Sequence, residues 1–212
     1  LSDIFREIDE ELRRDNLLKL LSRYWPYLAG IVVAALAIAG GIAGWRQHQL
    51  SLRQDQSTRY AAALALAAQG KDAEAVKLLG ALARGGGGYA ELAGFEEAAV
   101  LAKSGHHKQA IAVYSRIAAT NPHPLFRDLA VLLSAMQQLR QDAAQTVIDK
   151  LKPLIAPGNP WRPSALELTA LAELEAGDKS GARGLYKELS VDPAAPPGLR
   201  ARAAEMVSSL TP

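Results

Sequence analysis

The sequence predicts an all-α protein: a single N-terminal transmembrane helix followed by a solenoid of helical hairpins. Three observations predict it. The run Tyr27–Trp45, YLAGIVVAALAIAGGIAGW, has nineteen positions without a charge, close to the ~20 apolar residues that carry a helix across a bilayer. A glycine followed five positions later by an alanine recurs at Gly70 and Ala75, Gly105 and Ala110, Gly177 and Ala182. Hydrophobic residues make up 49% of the 212, yet aromatics only 6%, and alanine-rich sequence with few β-branched runs suits closely packed helices.

Residues 1–24 form the first element, a charged amphipathic segment ahead of the span. Ser2 or Asp3 serves as N-cap, and Ile4, Phe5, Ile8 and Leu12 recur at helical spacing. Leu17, Leu18, Leu20 and Leu21 continue that apolar face. An amphipathic helix lying on lipid is the plain reading, and a docking helix for a cytoplasmic partner is the other.

Residues 25–46 form the membrane span. Trp25, Tyr27 and Trp45 stand where interfacial aromatics belong, with Arg23 and Arg46 just outside them. The apolar run is too long for the core of a cleaved signal peptide, so a retained anchor is expected. Gly40 and Gly44 make a GxxxG, with Ala37 and Gly41 in the adjacent register, a small-residue face against which a second helix packs. Arg13, Arg14, Lys19 and Arg23 precede the span, whereas Arg46, Arg53 and Arg59 follow it. Four against three leans the amino terminus toward the inside.

Residues 47–212 form the repeat domain. Arg46–Tyr60 is polar but free of helix breakers, so the span continues as helix into it. Gly70 and Gly105 are 35 apart, and Gly105 and Gly177 are 72 apart, which leaves room for one degenerate copy around Arg140–Thr146. Ala63, Ala98 and Ala170 each precede the loop alanine by twelve; Leu79, Tyr114 and Tyr186 follow it by four; Leu82, Ile117 and Leu189 follow it by seven. A period near ~34 with this arrangement marks a helix-turn-helix array. Two antiparallel helices touch where the early alanine meets the loop alanine, and the glycine lets the first helix stop and turn. Asn121-Pro122, Asn159-Pro160 and Asp192-Pro193 stop the second helices, because the residue before proline avoids helical geometry. The units run over residues 57–87, 91–122, 125–160 and 163–193, with 198–210 as a closing helix that covers the last apolar face. The Gly85–Gly88 run joins the first two units as a loop and a candidate hinge.

Function classes fall away in turn. A net charge of +2 with no basic cluster gives no case for nucleic acid. The absence of cysteine excludes disulfides, thiolate metal sites and a cysteine nucleophile. Gly85–Gly88 is not followed by Gly-Lys-Ser/Thr, so it is no phosphate loop. His106 and His107 lie in a turn without a second ligand pair, and no GxSxG or HExxH occurs. The expectation is a non-enzyme with no cofactor, whose partners are proteins and the lipid bilayer.

The opening SDIFREIDEELRRDNLLKLLSRYWPYLAG (Ser2–Gly30), the single span and the repeat array together resemble the bacterial tetratricopeptide-repeat proteins related to the ancillary subunit of the Sec translocon. That resemblance implies a single-pass inner-membrane protein with a cytoplasmic amino terminus and a periplasmic, tetratricopeptide-like array. It also implies partnership with the SecYEG translocon and a membrane-anchored periplasmic chaperone. The Gly85–Gly88 run and the degenerate third unit depart from the family's groove. The alternative reading is a structural accessory of a respiratory or photosynthetic complex, held through Gly40 and Gly44. The binding surface would be lined by the first helices, around Tyr60–Ala68, Phe95–Lys103, Arg127–Gln138 and Ala165–Glu175.

Overall fold

The computed structural model describes residues 2–139 and 144–211, with side chains at 25, 30, 33–139 and 144–211. Among the described residues every regular element is helical: α1 (Ser2–Ala68), α2 (Asp72–Gly85), α3 (Ala90–Lys103), α4 (His107–Thr120), α5 (Pro124–Gln138), α6 (Ala144–Leu151), α7 (Arg162–Glu175), α8 (Lys179–Val191) and α9 (Pro197–Ser209). A 3-10 turn, Lys152–Ile155, extends α6. The chain divides into two compact units, Leu1–Gln54 and Asp55–Pro212.

The first unit is helical from Ser2 on. Val33, Leu36, Ile38, Ile42 and Trp45 are all exposed in it. Among the described residues no helix is long and apolar enough to cross a membrane. Side chains 26–29 and 31–32 of the expected span lie outside the described residues, as do those of the amphipathic segment at 1–24.

The second unit is an array in which each hairpin closes its core with the next first helix. Ala63 of α1 packs with Ala75, Leu79 and Leu82 of α2 and with Ala93 and Val100 of α3. Ala98 and Leu101 of α3 join Ala110, Val113, Tyr114 and Ile117 of α4, and Ala130 of α5 completes that cluster. The third core takes Leu132 and Ala135 from α5, Val147 and Leu151 from α6, and Ala165, Leu168 and Ala172 from α7. The fourth takes Leu166 and Ala170 from α7 and Ala182, Tyr186 and Leu189 from α8, and is shut by Leu199 and Ala203 of α9. Such stacking makes the domain quasi-one-dimensional: each unit needs its neighbour to finish its core.

One register runs through all four units. Ala63 and Ala75, Ala98 and Ala110, Ala135 and Val147, Ala170 and Ala182 are each twelve apart, and all eight are fully buried. The third pair places the degenerate copy. Sequence spacing centred it on Arg140–Thr146; the buried pair puts its contact at Val147, where a valine stands in for the loop alanine. Leu151, four further on, and Leu154, seven further on, occupy the buried positions of Tyr114 and Ile117. Residues 140–143, just before this helix, lie outside the described residues.

The three glycine turns share one geometry. Gly70, Gly105 and Gly177 have φ of 75°, 83° and 87°, a left-handed conformation that costs a residue with a Cβ roughly 1–2 kcal/mol. The N–H after each glycine donates back across the helix end: Lys71 to the Leu66 carbonyl at 3.0 Å, His106 to Leu101 and Asp178 to Glu173, both at 2.8 Å. The glycine N–H groups donate to Ala67, Ala102 and Leu174. Both bonds of a Schellman motif are thus made, satisfying carbonyls that the helix end would leave open.

The Asn-Pro and Asp-Pro stops also share a geometry. Asn121 Oδ1 accepts from the His123 N–H at 2.9 Å, Asn159 Oδ1 from Trp161 at 2.8 Å, and Asp192 Oδ1 from Ala194 at 2.8 Å. In each the side chain reaches over the proline to the next amide, an Asx turn that fixes the chain's entry into the following element.

Candidate interaction face of the first helices

Because the units stack in one register, a position repeated in every first helix forms a row along the array. The position after the early alanine is such a row. It holds Leu64, Ala99, Met136 and Leu171, and all four side chains are exposed. The three large ones are 37%, 45% and 39% exposed. They lie within the stretches expected to line the binding surface, and nothing in their own unit covers them. Single exposed apolar residues are ordinary, but an apolar residue repeated at the same register is a patterned surface.

A second row went unread in the sequence. Tyr89, Phe126 and Trp161 each precede the early alanine of their unit by nine, and all are half-buried. Each begins a unit by leaning back on the previous one. Tyr89 meets Tyr60 with ring centroids 5.4 Å apart, and Phe126 meets Phe95 at 6.3 Å. Trp161 packs on the third core and donates its Nε1–H to the Leu125 carbonyl at 2.9 Å. Phe95 also meets Tyr114 at 6.2 Å. Tilted pairs at these separations add roughly 0.5–1.5 kcal/mol to the burial of the rings. A search for repeated aromatics, not only repeated alanines and glycines, finds this row.

Several charges of the first helices are paired with neighbouring elements. Glu97, buried in α3, takes Arg116 Nη2 at 3.1 Å and reaches toward Gly80 of α2. A Cβ at Gly80 would lie 2.9 Å from Glu97 Oε1, so glycine there makes room for the carboxylate. Glu167 of α7 holds Arg202 of α9 at 3.1 Å. Arg162 donates to the Ile155 carbonyl at 3.1 Å and to Asp192 Oδ2 at 2.6 Å, and also pairs with Glu188. It borders a cleft of about 400 Å³ between Pro157–Pro160 and Asp192. Glu96, half-buried beside Glu97, has no ion pair or hydrogen bond among the described residues. Its charge raises the pKa of both Tyr60 and Tyr114, adding to the larger effect of burial on each phenol.

The repeat-defining residues expected from the sequence take structural positions. Ala63, Ala75, Ala98, Ala110, Ala170 and Ala182 are fully buried at the hairpin contacts, Tyr114 and Tyr186 lie in the cores, and Gly70, Gly105 and Gly177 make the turns. Ala37, Gly40, Gly41 and Gly44 are exposed on α1, and a Cβ at any of the three glycines would meet nothing within 4 Å. Gly86 and Gly87 have φ of 72° and 89°. Gln56 Nε2 donates to the Gly86 carbonyl at 3.0 Å, so the glycine run is tied to the first helix of its unit. His107 Nδ1 lies 2.9 Å from Gln137 Oε1, a contact between adjacent units. Among the described residues no group of three or more His, Asp and Glu lies together for a metal ion.

The family model for the tetratricopeptide repeat-like domain matches residues 19–195. Among solved structures, a Podosopora anserina crystal structure titled as a kinesin light chain with nearly identical TPR-like repeats is similar to this chain at 15% identity. That likeness covers 73% of this chain and 84% of the other, with a TM-score of 0.56, and it concerns the fold alone. No curated protein matches the chain significantly.

Proposed function

The chain belongs to the tetratricopeptide repeat-like domain family, and from that premise we propose that it is a membrane-anchored, non-catalytic subunit whose array binds polypeptide. The observation that carries this reading is the exposed row Leu64, Ala99, Met136 and Leu171 on the first helices. A row of apolar side chains at one register suits an extended or helical segment laid along the array, because such a ligand repeats its own side chains at regular intervals. The α1 stretch with exposed Val33, Leu36, Ile38, Ile42 and Trp45 supports attachment to a bilayer, together with the uncharged run Tyr27–Trp45.

The protein serves, in this proposal, as an accessory of the bacterial protein-export channel. Its amino terminus is in the cytoplasm, and its array in the periplasm meets newly translocated chains and a membrane-anchored chaperone. The resemblance of Ser2–Gly30 and the charge bias around the span support that placement. Purification of the full chain in mild detergent tests it. Recovery of the SecYEG channel, with crosslinks from Met136 or Leu171 to exported nascent chains, is the expected result. Recovery of an energy-converting complex alone, released by replacing Gly40 and Gly44 with leucine, would overturn it in favour of a structural accessory role.

A further inference from the structure

The join between the first two hairpins is built unlike the later three. Residues 121–124, 157–163 and 192–197 cross their joins on prolines and an Asx turn. Two of those turns are also clasped by a first helix: Asn159 Nδ2 donates to Asp128 Oδ2 at 2.8 Å, and Arg162 to Asp192 Oδ2 at 2.6 Å. The run Gly85–Gly88 has no proline and no Asn or Asp to turn on. Gly86 and Gly87 are at φ 72° and 89°. Gln56 of α1 holds the run by donating its Nε2–H to the Gly86 carbonyl at 3.0 Å. Its amide lies directly over Gly87, where a Cβ would be 2.6 Å from Gln56 Oε1.

Two further features adjoin the run. Beside it α2 and α3 meet through small residues: Ala93 is fully buried, and a Cβ at Gly94 would lie 3.8 Å from the Ala83 Cβ. A cleft of about 180 Å³ opens at the same place, lined by Ala83, Ala90, Gly94, Ile117 and Pro122. Glycines leave the backbone many paths. Small side chains make a contact without interlocking knobs, along which packed helices slide, and an unfilled cleft gives them room to do so. We infer that Gly85–Gly88 is a shear hinge latched by Gln56. With the latch made, the run keeps one path and the α2–α3 crossing is fixed. With it broken, α2 slides on α3 and the first hairpin turns against the second. One neutral hydrogen bond shifts such an equilibrium by only about two- to tenfold, so the latch is readily released. Leu64 travels with the first hairpin, whereas Ala99, Met136 and Leu171 belong to the later ones. The latch therefore sets the first step of the exposed row, whether or not that row binds polypeptide.

The chain has no cysteine, so spin labels sit only where cysteine is introduced. Ala73, Lys108 and Gln145 are exposed, and each stands two residues before the buried Ala75, Ala110 or Val147 of its unit. In the full chain in detergent micelles, pulsed electron paramagnetic resonance reads the distance distribution for two labelled pairs. Ala73→Cys with Lys108→Cys spans the glycine run, and Lys108→Cys with Gln145→Cys spans the Asn121-Pro122 join. The first distribution is expected to be about twofold wider than the second. Gln56→Ala should widen the first further and leave the second unchanged. Gly85→Ala combined with Gly88→Ala should narrow it, since neither glycine is at positive φ and a Cβ at either meets nothing within 4 Å. Equal widths for the two pairs, both in the wild type and in Gln56→Ala, overturn the hinge. A wider first distribution that Gln56→Ala leaves as it was overturns the latch.

Discussion

Replacing Val147 by alanine should weaken the array, although alanine is what the other three units carry at that position. Val147 and Ala135 are both fully buried and twelve apart, so they are the third unit's version of the Ala98–Ala110 contact. The third unit's helices meet around this larger side chain, and its second helix is described over Ala144–Leu151, finished by a 3-10 turn. Val147→Ala removes two buried methyl groups at about 0.8 kcal/mol each and leaves part of their volume empty. The expected loss is about 2 kcal/mol. With a urea dependence of about 2 kcal/mol per molar, the unfolding midpoint should fall by about 1 M. The reverse change, Ala110→Val, inserts the same two methyls where two helices already meet at alanine, and overpacking of this kind costs about 1–3 kcal/mol. Far-UV circular dichroism of the full chain through a urea series reads both. An unchanged midpoint for Val147→Ala would refute the register that pairs it with Ala135. Unchanged stability of Ala110→Val would refute the tight crossing in the second unit.

Other perturbations test other parts of the frame. Gly105→Ala places a Cβ at φ +83° in the α3 turn and should cost about 1–2 kcal/mol in the same urea series, whereas Gly184→Ala, on α8 with nothing within 4 Å of its Cβ, should cost nothing or stabilise. Asn121→Ala removes the acceptor for the His123 amide and should cost about 1 kcal/mol, with faster hydrogen exchange at the His123 amide if the Asx turn is the bond that protects it. Glu173→Gln should raise the midpoint at pH 7. Burial, and then the Asp178 charge, raise the pKa of this carboxyl, whose Oε2 has no hydrogen-bond partner. A raised carboxyl pKa means that the folded state holds the proton more tightly, so the stabilising effect is complete below the ordinary carboxyl range and is lost as pH rises through the folded value. The advantage of glutamine should therefore shrink as pH is lowered toward that range; an advantage independent of pH would assign it to packing.

The array was legible where its physics repeats. Alanine at a helix crossing and glycine at a left-handed turn are each demanded by geometry, so Ala63, Ala98 and Ala170 and Gly70, Gly105 and Gly177 stand out at fixed spacing. The third unit was legible only to within a few residues, because its crossing tolerates valine and the sequence before it, 140–143, holds no glycine to mark it. The aromatic row escaped for a different reason. Tyr89, Phe126 and Trp161 are three different residue types, and what they share is a half-buried place at the join between units, not a residue identity. The tie between Gln56 and the Gly86 carbonyl joins residues thirty apart, and its counterpart in the third unit, Asn159 Nδ2 to Asp128 Oδ2 at 2.8 Å, uses other residue types and a partner one position later, so a search for repeated identities does not reach it.

The same repetition bears on what the molecule can do. Catalysis needs unlike groups brought to one point, and a solenoid instead sets like positions side by side in rows. Leu64, Ala99, Met136 and Leu171 are alike because one register made them so, and a row of this kind discriminates a ligand weakly by itself. Selectivity must then come from the positions that break the pattern.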